Sequence, residues 1–390
     1  PGDEDLKEEE EEEQEESRDD LFSLDEMREE LERLRADSRK SAAHLQMAPG
    51  EQCTLPAIVP EMRDGLVVSD SMHKLVDTVM SVTSKHRCGF WGSGGIGKTT
   101  TSAWLCRQER IRRHFDMIVW VTLSQTPNIV ACQRQLFAQL TGQELLPELC
   151  EEDRRREIQE AFVGKHCLLV LDDAWDSLDL SHFALIDETT HSRVLISSRV
   201  ISTLESCDGV DIGLPTEEDA IQMVMAAAGM ARGVAVPDEA RKVARLCKLL
   251  PLTLGIAGRL VKGLDLQHDW SEVVAMITEE LTIDGEARSA EDGVIATSLR
   301  AIEGRDADSA RALFKAFRLV PEDVKIPLEA LAWVYEASNG AEEANVESAS
   351  TMPTMLQLRK WTKLLIDRCL ILGPIDQPSL HDIVSRKGRR

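Results

Sequence analysis

The sequence predicts an α/β protein: a parallel five-stranded sheet with helices on both faces, followed by all-helical segments and preceded by an acidic tail. Three observations carry this reading. The stretch CGFWGSGGIGKTTTS, residues 88–102, satisfies G-x-x-x-x-G-K-[ST] after a short apolar run and before a helix-compatible one. Apolar runs of strand length then alternate with helical stretches as far as Leu214. Beyond Pro215 the strand signal stops and helical periodicity takes over.

The chain opens on its least foldable part. Formal charge over the 390 residues is −24, and residues 1–40 alone hold 19 acidic and 7 basic side chains. A run of Glu and Asp over residues 3–20 can bury nothing, so residues 1–52 are expected to be an acidic disordered region with one short amphipathic helix carried by Leu24, Met27, Leu31 and Leu34. Residues 48–66, with Pro49, Gly50, Pro56, Pro60 and Gly65, read as linker. The remaining body is still acidic, which supplies no general electrostatic reason to bind nucleic acid or an anionic membrane. Nine scattered cysteines without a C-x-x-C pair favour reduced thiols, hence the cytoplasm, over disulfides or zinc. No apolar run reaches ~18 residues. A first residue of proline in place of methionine points to a trimmed or incomplete chain.

A helix from Met72 to Val82 leads into a strand at Arg87–Trp91, the glycine-rich loop, and a helix to about Arg113. Further strands are expected at Met117–Leu123, Cys167–Leu171, Arg193–Ile196 and Val210–Leu214. Helices are expected at Glu217–Met230, Pro237–Leu249, Leu252–Val261 and Trp270–Glu280, and helical structure resumes to the end with a short apolar run at Leu364–Leu372.

The glycine-rich loop is a phosphate-binding loop. Gly92, Gly94, Gly95 and Gly97 let the backbone around Ile96 turn tightly and aim successive N–H groups at phosphate oxygens, and the helix opening through Thr99 and Thr100 adds the positive end of its dipole. Lys98 would reach the β- and γ-phosphates and Thr99 would put its hydroxyl on Mg²⁺. The metal needs a carboxylate at the end of a neighbouring strand. HCLLVLDDAW supplies two, with Asp172 read as the Mg²⁺ ligand and Asp173 as the group that places or polarises a water. Aspartate lacks the extra methylene of glutamate, so turnover is expected to be slow. RVLISSR ends in Arg199, suited to sensing a γ-phosphate.

With these residues in hand the chain resembles the NB-ARC module, the nucleotide-binding switch of plant disease-resistance receptors and animal apoptosis-activating ATPases within the STAND class of P-loop NTPases. The resemblance rests on GSGGIGKTT, FDMIVWVTLSQ, LLVLDDAW, SRVLISSR, CKLLPLTL, FRLVPEDVKIPLEALAWVY, LIDRCLILG and SLHDIV, which follow the family's order across about residues 60–385. It implies a P-loop NTPase domain over 53–214, a four-helix domain over 215–285 and a winged-helix domain over 286–390, folded over one ADP or ATP with Mg²⁺. It also implies that Pro251 touches the adenine and that His381, oriented by Asp382, reaches the β-phosphate of ADP. The chain departs from the family pattern at Leu249, where relatives have the glycine of GLPL, at Leu380, at Ser197 and Ser198 in place of threonines, and at Arg63, a poor match to the usual adenine-side contact. Relatives continue into sensor repeats, whereas this sequence stops shortly after LHD.

The implied function is an ADP/ATP switch of the immune or cell-death type: ADP closes it, ATP opens it for self-association, slow hydrolysis resets it, and an upstream sensor and a downstream signalling protein remain to be named. Two other readings are weaker. A fast-turnover P-loop ATPase or small-molecule kinase lacks an acceptor-substrate site after Pro215. A winged-helix DNA-binding regulator lacks a strongly basic recognition region.

Overall fold

The computed structural model describes residues 52–62, 65–81, 85–186, 191–231, 233–266, 270–282, 288–320, 324–340 and 352–380. The acidic tail, its expected helix, Arg63, His381 and Asp382 lie outside them.

Five strands, β1 (Arg87–Trp91), β2 (Met117–Thr122), β3 (Cys167–Ala174), β4 (Arg193–Ser198) and β5 (Asp208–Asp211), form one parallel sheet in the order β2-β3-β4-β1-β5. Alternation along each strand divides the core in two. Phe90, Ile118, Trp120, Leu168, Val170 and Leu195 pack on one face against helices Asp70–Met80, Lys98–Cys106 and Glu109–His114. Val119, Val121, Leu169, Leu171, Val194 and Ile196 pack on the other with helices Ile129–Thr141 and Glu151–Phe162. β5 carries a single buried side chain, Val210, and begins two residues before its expected position because Asp208 and Gly209 pair with Cys88 and Gly89 at the sheet edge.

Three expectations are corrected. The segment read as linker packs on the nucleotide domain: Cys53 and Val59 are buried, Cys53 N donates to Arg112 O at 2.8 Å, and Arg112 Nε returns a bond to Cys53 O at 3.0 Å. The helix after the loop breaks into Lys98–Cys106 and Glu109–His114, because Arg107 Nη1 and Gln108 Nε2 cap the carbonyls of Ala103 and Trp104 and Gln108 turns extended. β3 runs on through both aspartates to Ala174.

After Pro215 come helices Glu217–Ala227, Asp238–Leu246, Pro251–Gly263 and Ser271–Leu281, then Ala290–Arg300, Ala307–Ala316, Leu328–Gly340 and Met355–Asp367. Their buried faces form one hydrophobic core from Ala220 to Leu380. In the last hundred residues the one β element among the described residues is the antiparallel bridge Leu372↔Ser379. All nine cysteines are unpaired.

A candidate nucleotide site at the carboxyl edge of the sheet

The strand order places β4 beside β1 and β3 on the far side of β4, so the residues leaving the carboxyl ends of these three neighbouring strands lie along one edge with the loop that follows Trp91. In that loop Gly97 sits at φ +95° as the N-cap of helix Lys98–Cys106, and Thr101 N donates back to Gly97 O at 2.8 Å. A side chain at Gly92 would lie 2.7 Å from Ile212 O and 2.9 Å from Ile96 Cγ2, so the loop is closed on β5 by an absent Cβ and a buried isoleucine. Lys98 is buried and donates from Nζ to Gly92 O at 3.0 Å and Ser93 O at 3.1 Å. Burial, aided by Arg199, draws its pKa down to about 8, against the opposing pull of Asp173 and Asp172. A cation held by backbone carbonyls in a desolvated loop has the chemistry to take a phosphate oxygen.

Asp172 is 1% exposed and its pKa is pushed up to about 6, chiefly by burial, against hydrogen bonds from Ser197 and Thr99. Ser197 Oγ donates to Asp172 Oδ1 at 2.6 Å and accepts from Asp173 N at 2.9 Å. Between Leu171 and Ala174 β3 carries one residue more than β4 opposite it, and Asp173 takes φ +55° at this bulge. Both carboxylates thereby sit in the same buried corner instead of on opposite faces. Asp173 Oδ1 accepts from Arg199 Nε at 3.3 Å and Oδ2 accepts from Trp175 Nε1 at 2.9 Å.

Thr99 and Asp172 fit Mg²⁺, a hard cation that takes one or two protein oxygens and completes its shell with water and phosphate. No cluster of three or more His, Cys, Asp or Glu suited to an all-protein metal cage occurs among the described residues. Gly94, Gly95, Ile96, Thr99 and Thr100 lie between the end of β1 and the first turn of helix Lys98–Cys106, with Gly95 at φ +74° and both threonines exposed. Pro251 is the first residue of helix Pro251–Gly263, where its missing N–H costs nothing, and its neighbour Leu252 N donates to Gly95 O at 3.2 Å. The helical segment therefore touches the loop directly.

Comparison with known proteins agrees with this geometry. Residues 68–232 match the family model described as the NB-ARC domain. Over that segment the chain resembles an NB-ARC domain. It is similar to two Arabidopsis thaliana proteins, "Disease resistance protein At4g27190", at 25% identity over 82% of this chain and 32% of that one, and "Disease resistance protein RPS5", at 25% over 76% and 34%. It thus spans about a third of the length of the curated relatives it matches. The fold resembles that of a Signal Transduction ATPase with Numerous Domains (STAND) protein with a tetratricopeptide repeat sensor from Pyrococcus horikoshii, with a TM-score of 0.54 at 15% identity, covering 88% of this chain and 44% of that one. No helix among the described residues is long and apolar enough to cross a membrane.

Within the matched segment two participants escape a motif reading. Ser197 appears in the sequence as one of two substituted threonines, yet its hydroxyl joins the backbone of one aspartate to the carboxylate of the other. Trp175, the last letter of LLVLDDAW, is given no role by the motif, yet its indole bonds Asp173. The sequence signal for both is position: each lies within three residues of a charged group at a strand end.

Proposed function

We propose that this chain is an ADP/ATP-dependent molecular switch acting in signal transduction, of the defence-response type named for its relatives. The observation that carries the reading is the convergence of Lys98, Asp172, Asp173 and Arg199, drawn from three adjacent parallel strands, on one buried corner beside the phosphate loop. In this reading the loop from Gly92 to Thr100 binds the phosphates of an adenine nucleotide, Thr99 and Asp172 hold Mg²⁺, and Pro251 lies against the base. Bound Mg²⁺ would neutralise charge developing on the β- and γ-phosphates. Asp173 directs a water and takes the proton it gives up as its oxygen bonds to the γ-phosphorus and the bond to the β–γ bridging oxygen breaks, and Arg199 meets the γ-phosphate. Turnover is slow, as suits a timer.

The helical segments supply the moving part. Direct contact of Leu252 with Gly95 supports coupling between nucleotide and helices. We read residues 286–390 as a winged-helix domain, supported by its helices and by the bridge Leu372↔Ser379, and His381 as the latch on the β-phosphate of ADP. Exchange to ATP releases the latch, exposes a self-association surface and passes the signal to a partner in the cytoplasm. The test is calorimetry of ATP and ADP with Mg²⁺ on the full chain and on Lys98→Ala. The variant should bind at least about tenfold more weakly, since hydrogen bonds to charged groups are worth roughly 1.5–3 kcal/mol. Equal affinities would overturn the site.

A further inference from the structure

The corner at Asp173 holds three side chains in mutual contact. Arg199 Nε donates to Asp173 Oδ1 at 3.3 Å, Trp175 Nε1 donates to Asp173 Oδ2 at 2.9 Å, and Arg199 Cζ lies 4.8 Å from the centroid of the Trp175 ring. The side chains of Arg199 and Asp173 are only 14% and 11% exposed, so water competes poorly for these bonds. Their frame is rigid. Asp173 sits at φ +55° on the bulge with its N–H on Ser197 Oγ, and Trp175 O accepts from Thr203 Oγ1 at 3.4 Å in the turn Ile201–Leu204.

We propose that Trp175 is a positioning residue that clasps the Asp173 carboxylate against the Arg199 guanidinium and so acts as a built-in brake on ATP hydrolysis. The inference rests on the switch reading above. A carboxylate that is to direct water needs an oxygen turned toward the γ-phosphate, and a guanidinium that is to meet that phosphate must give up part of its hold on the carboxylate. Here each carboxylate oxygen is engaged by a donor, and the two donors are stacked on one another. Hydrolysis therefore requires the γ-phosphate to draw Arg199 away while the indole still holds Oδ2. Phenylalanine at 175 would retain the stack but lack the donor. The indole is the one aromatic that combines a broad face for the guanidinium with an N–H for the carboxylate.

The test compares the full wild-type chain with Trp175→Phe and Trp175→Leu, either of which suffices if its circular dichroism and melting match a folded protein. Single-turnover and steady-state hydrolysis of Mg²⁺-ATP are measured beside calorimetric affinities for ADP and a non-hydrolysable ATP analogue. Release of one hydrogen bond to the carboxylate should raise kcat roughly three- to tenfold with affinities held within about twofold. In an Asp173→Asn background the same substitutions should change nothing. An unchanged or lowered kcat, or a rise that persists with Asn at 173, overturns the clasp while leaving nucleotide binding in place. Failure of the wild-type chain to bind any nucleotide overturns the switch reading and the clasp with it.

Discussion

Ser197 is shared by the two aspartates of β3: its hydroxyl donates to Asp172 Oδ1 at 2.6 Å and accepts from the N–H of Asp173 at 2.9 Å. One completely buried hydroxyl thus fixes the direction of the carboxylate assigned to the metal and the backbone of the carboxylate assigned to water. A hydroxyl that both donates and accepts cannot be replaced by an apolar group without leaving a buried N–H and a buried carboxylate each one partner short.

Ser197→Ala should therefore lower stability by about 1–3 kcal/mol and weaken Mg²⁺-nucleotide binding about tenfold. Ser197→Thr keeps the hydroxyl and should retain binding. Melting curves and calorimetry of the two variants check this, and equal behaviour of Ala and Thr would remove Ser197 from the site.

Asp172 links the site to pH. Its pKa is 3.8 when free and rises to about 6 in the fold, with burial the leading cause. Between those values the folded chain binds the proton more tightly than the unfolded one, so nucleotide-free stability falls as pH rises from about 4 through about 6 and the penalty is complete above that. Asp172→Asn removes the buried charge. It should stabilise the nucleotide-free protein at pH 7 by on the order of 2–3 kcal/mol, flatten the pH dependence of melting between pH 4 and 6, and abolish Mg²⁺-dependent binding. Denaturant melts across that range, with and without Mg²⁺-nucleotide, decide it.

Much of this was legible in the sequence, and what was not has identifiable causes. Four of the five strands begin at the residue that the sequence predicts: β2, β3 and β4 because strands buried on both faces carry runs of Val, Ile and Leu, and β1 because its short Cys-Gly-Phe-Trp run leads straight into the glycine-rich loop. β5 has one buried side chain, so its register is set by pairing with β1 and not by its own pattern. Burial of Cys53 and Val59 is a tertiary event that Pro-rich spacing conceals. The phosphate loop is legible because its glycines are demanded by backbone geometry local to the motif. The Trp175–Asp173–Arg199 clasp depends on one extra residue in β3 and a left-handed aspartate, and neither leaves a periodic trace.

Glu280 joins two helices that the sequence assigns to different domains. Its side chain is buried on helix Ser271–Leu281 and meets Arg288 Nη1 at 3.1 Å and Arg300 Nη1 at 3.0 Å, while Arg300 Nη2 reaches Glu279 at 2.8 Å. Both arginines are about two-fifths exposed, so solvent screens the pairs and their net worth is modest. Glu280→Gln should cost about 1 kcal/mol and reduce the loss of stability that the wild type suffers between low and high salt. A salt dependence identical to wild type would mean that the network contributes packing alone.

The turn that precedes Pro251 carries removable strain. Helix Asp238–Leu246 ends with Lys248 N donating to Arg245 O at 3.0 Å and Leu249 N donating to Ala244 O at 3.1 Å, the paired bonds of a Schellman ending. That ending wants glycine at its left-handed position, yet here Lys248 has φ +53° and Leu249 follows at φ +58°. Two consecutive side-chain-bearing residues in this region cost about 1–2 kcal/mol each relative to glycine. Lys248 is exposed, so Lys248→Gly relieves strain without losing packing, although the glycine also frees the unfolded chain. The net gain should be about 0.5–1 kcal/mol, seen as a higher Tm. Leu249→Gly relieves similar strain but surrenders a half-buried side chain packed on the helical core, worth about 1–2 kcal/mol, and should leave stability unchanged or slightly lower. The pair separates backbone strain from packing: if Lys248→Gly lowers Tm as much as Leu249→Gly does, the left-handed turn carries no strain and lysine is held there by its own contacts.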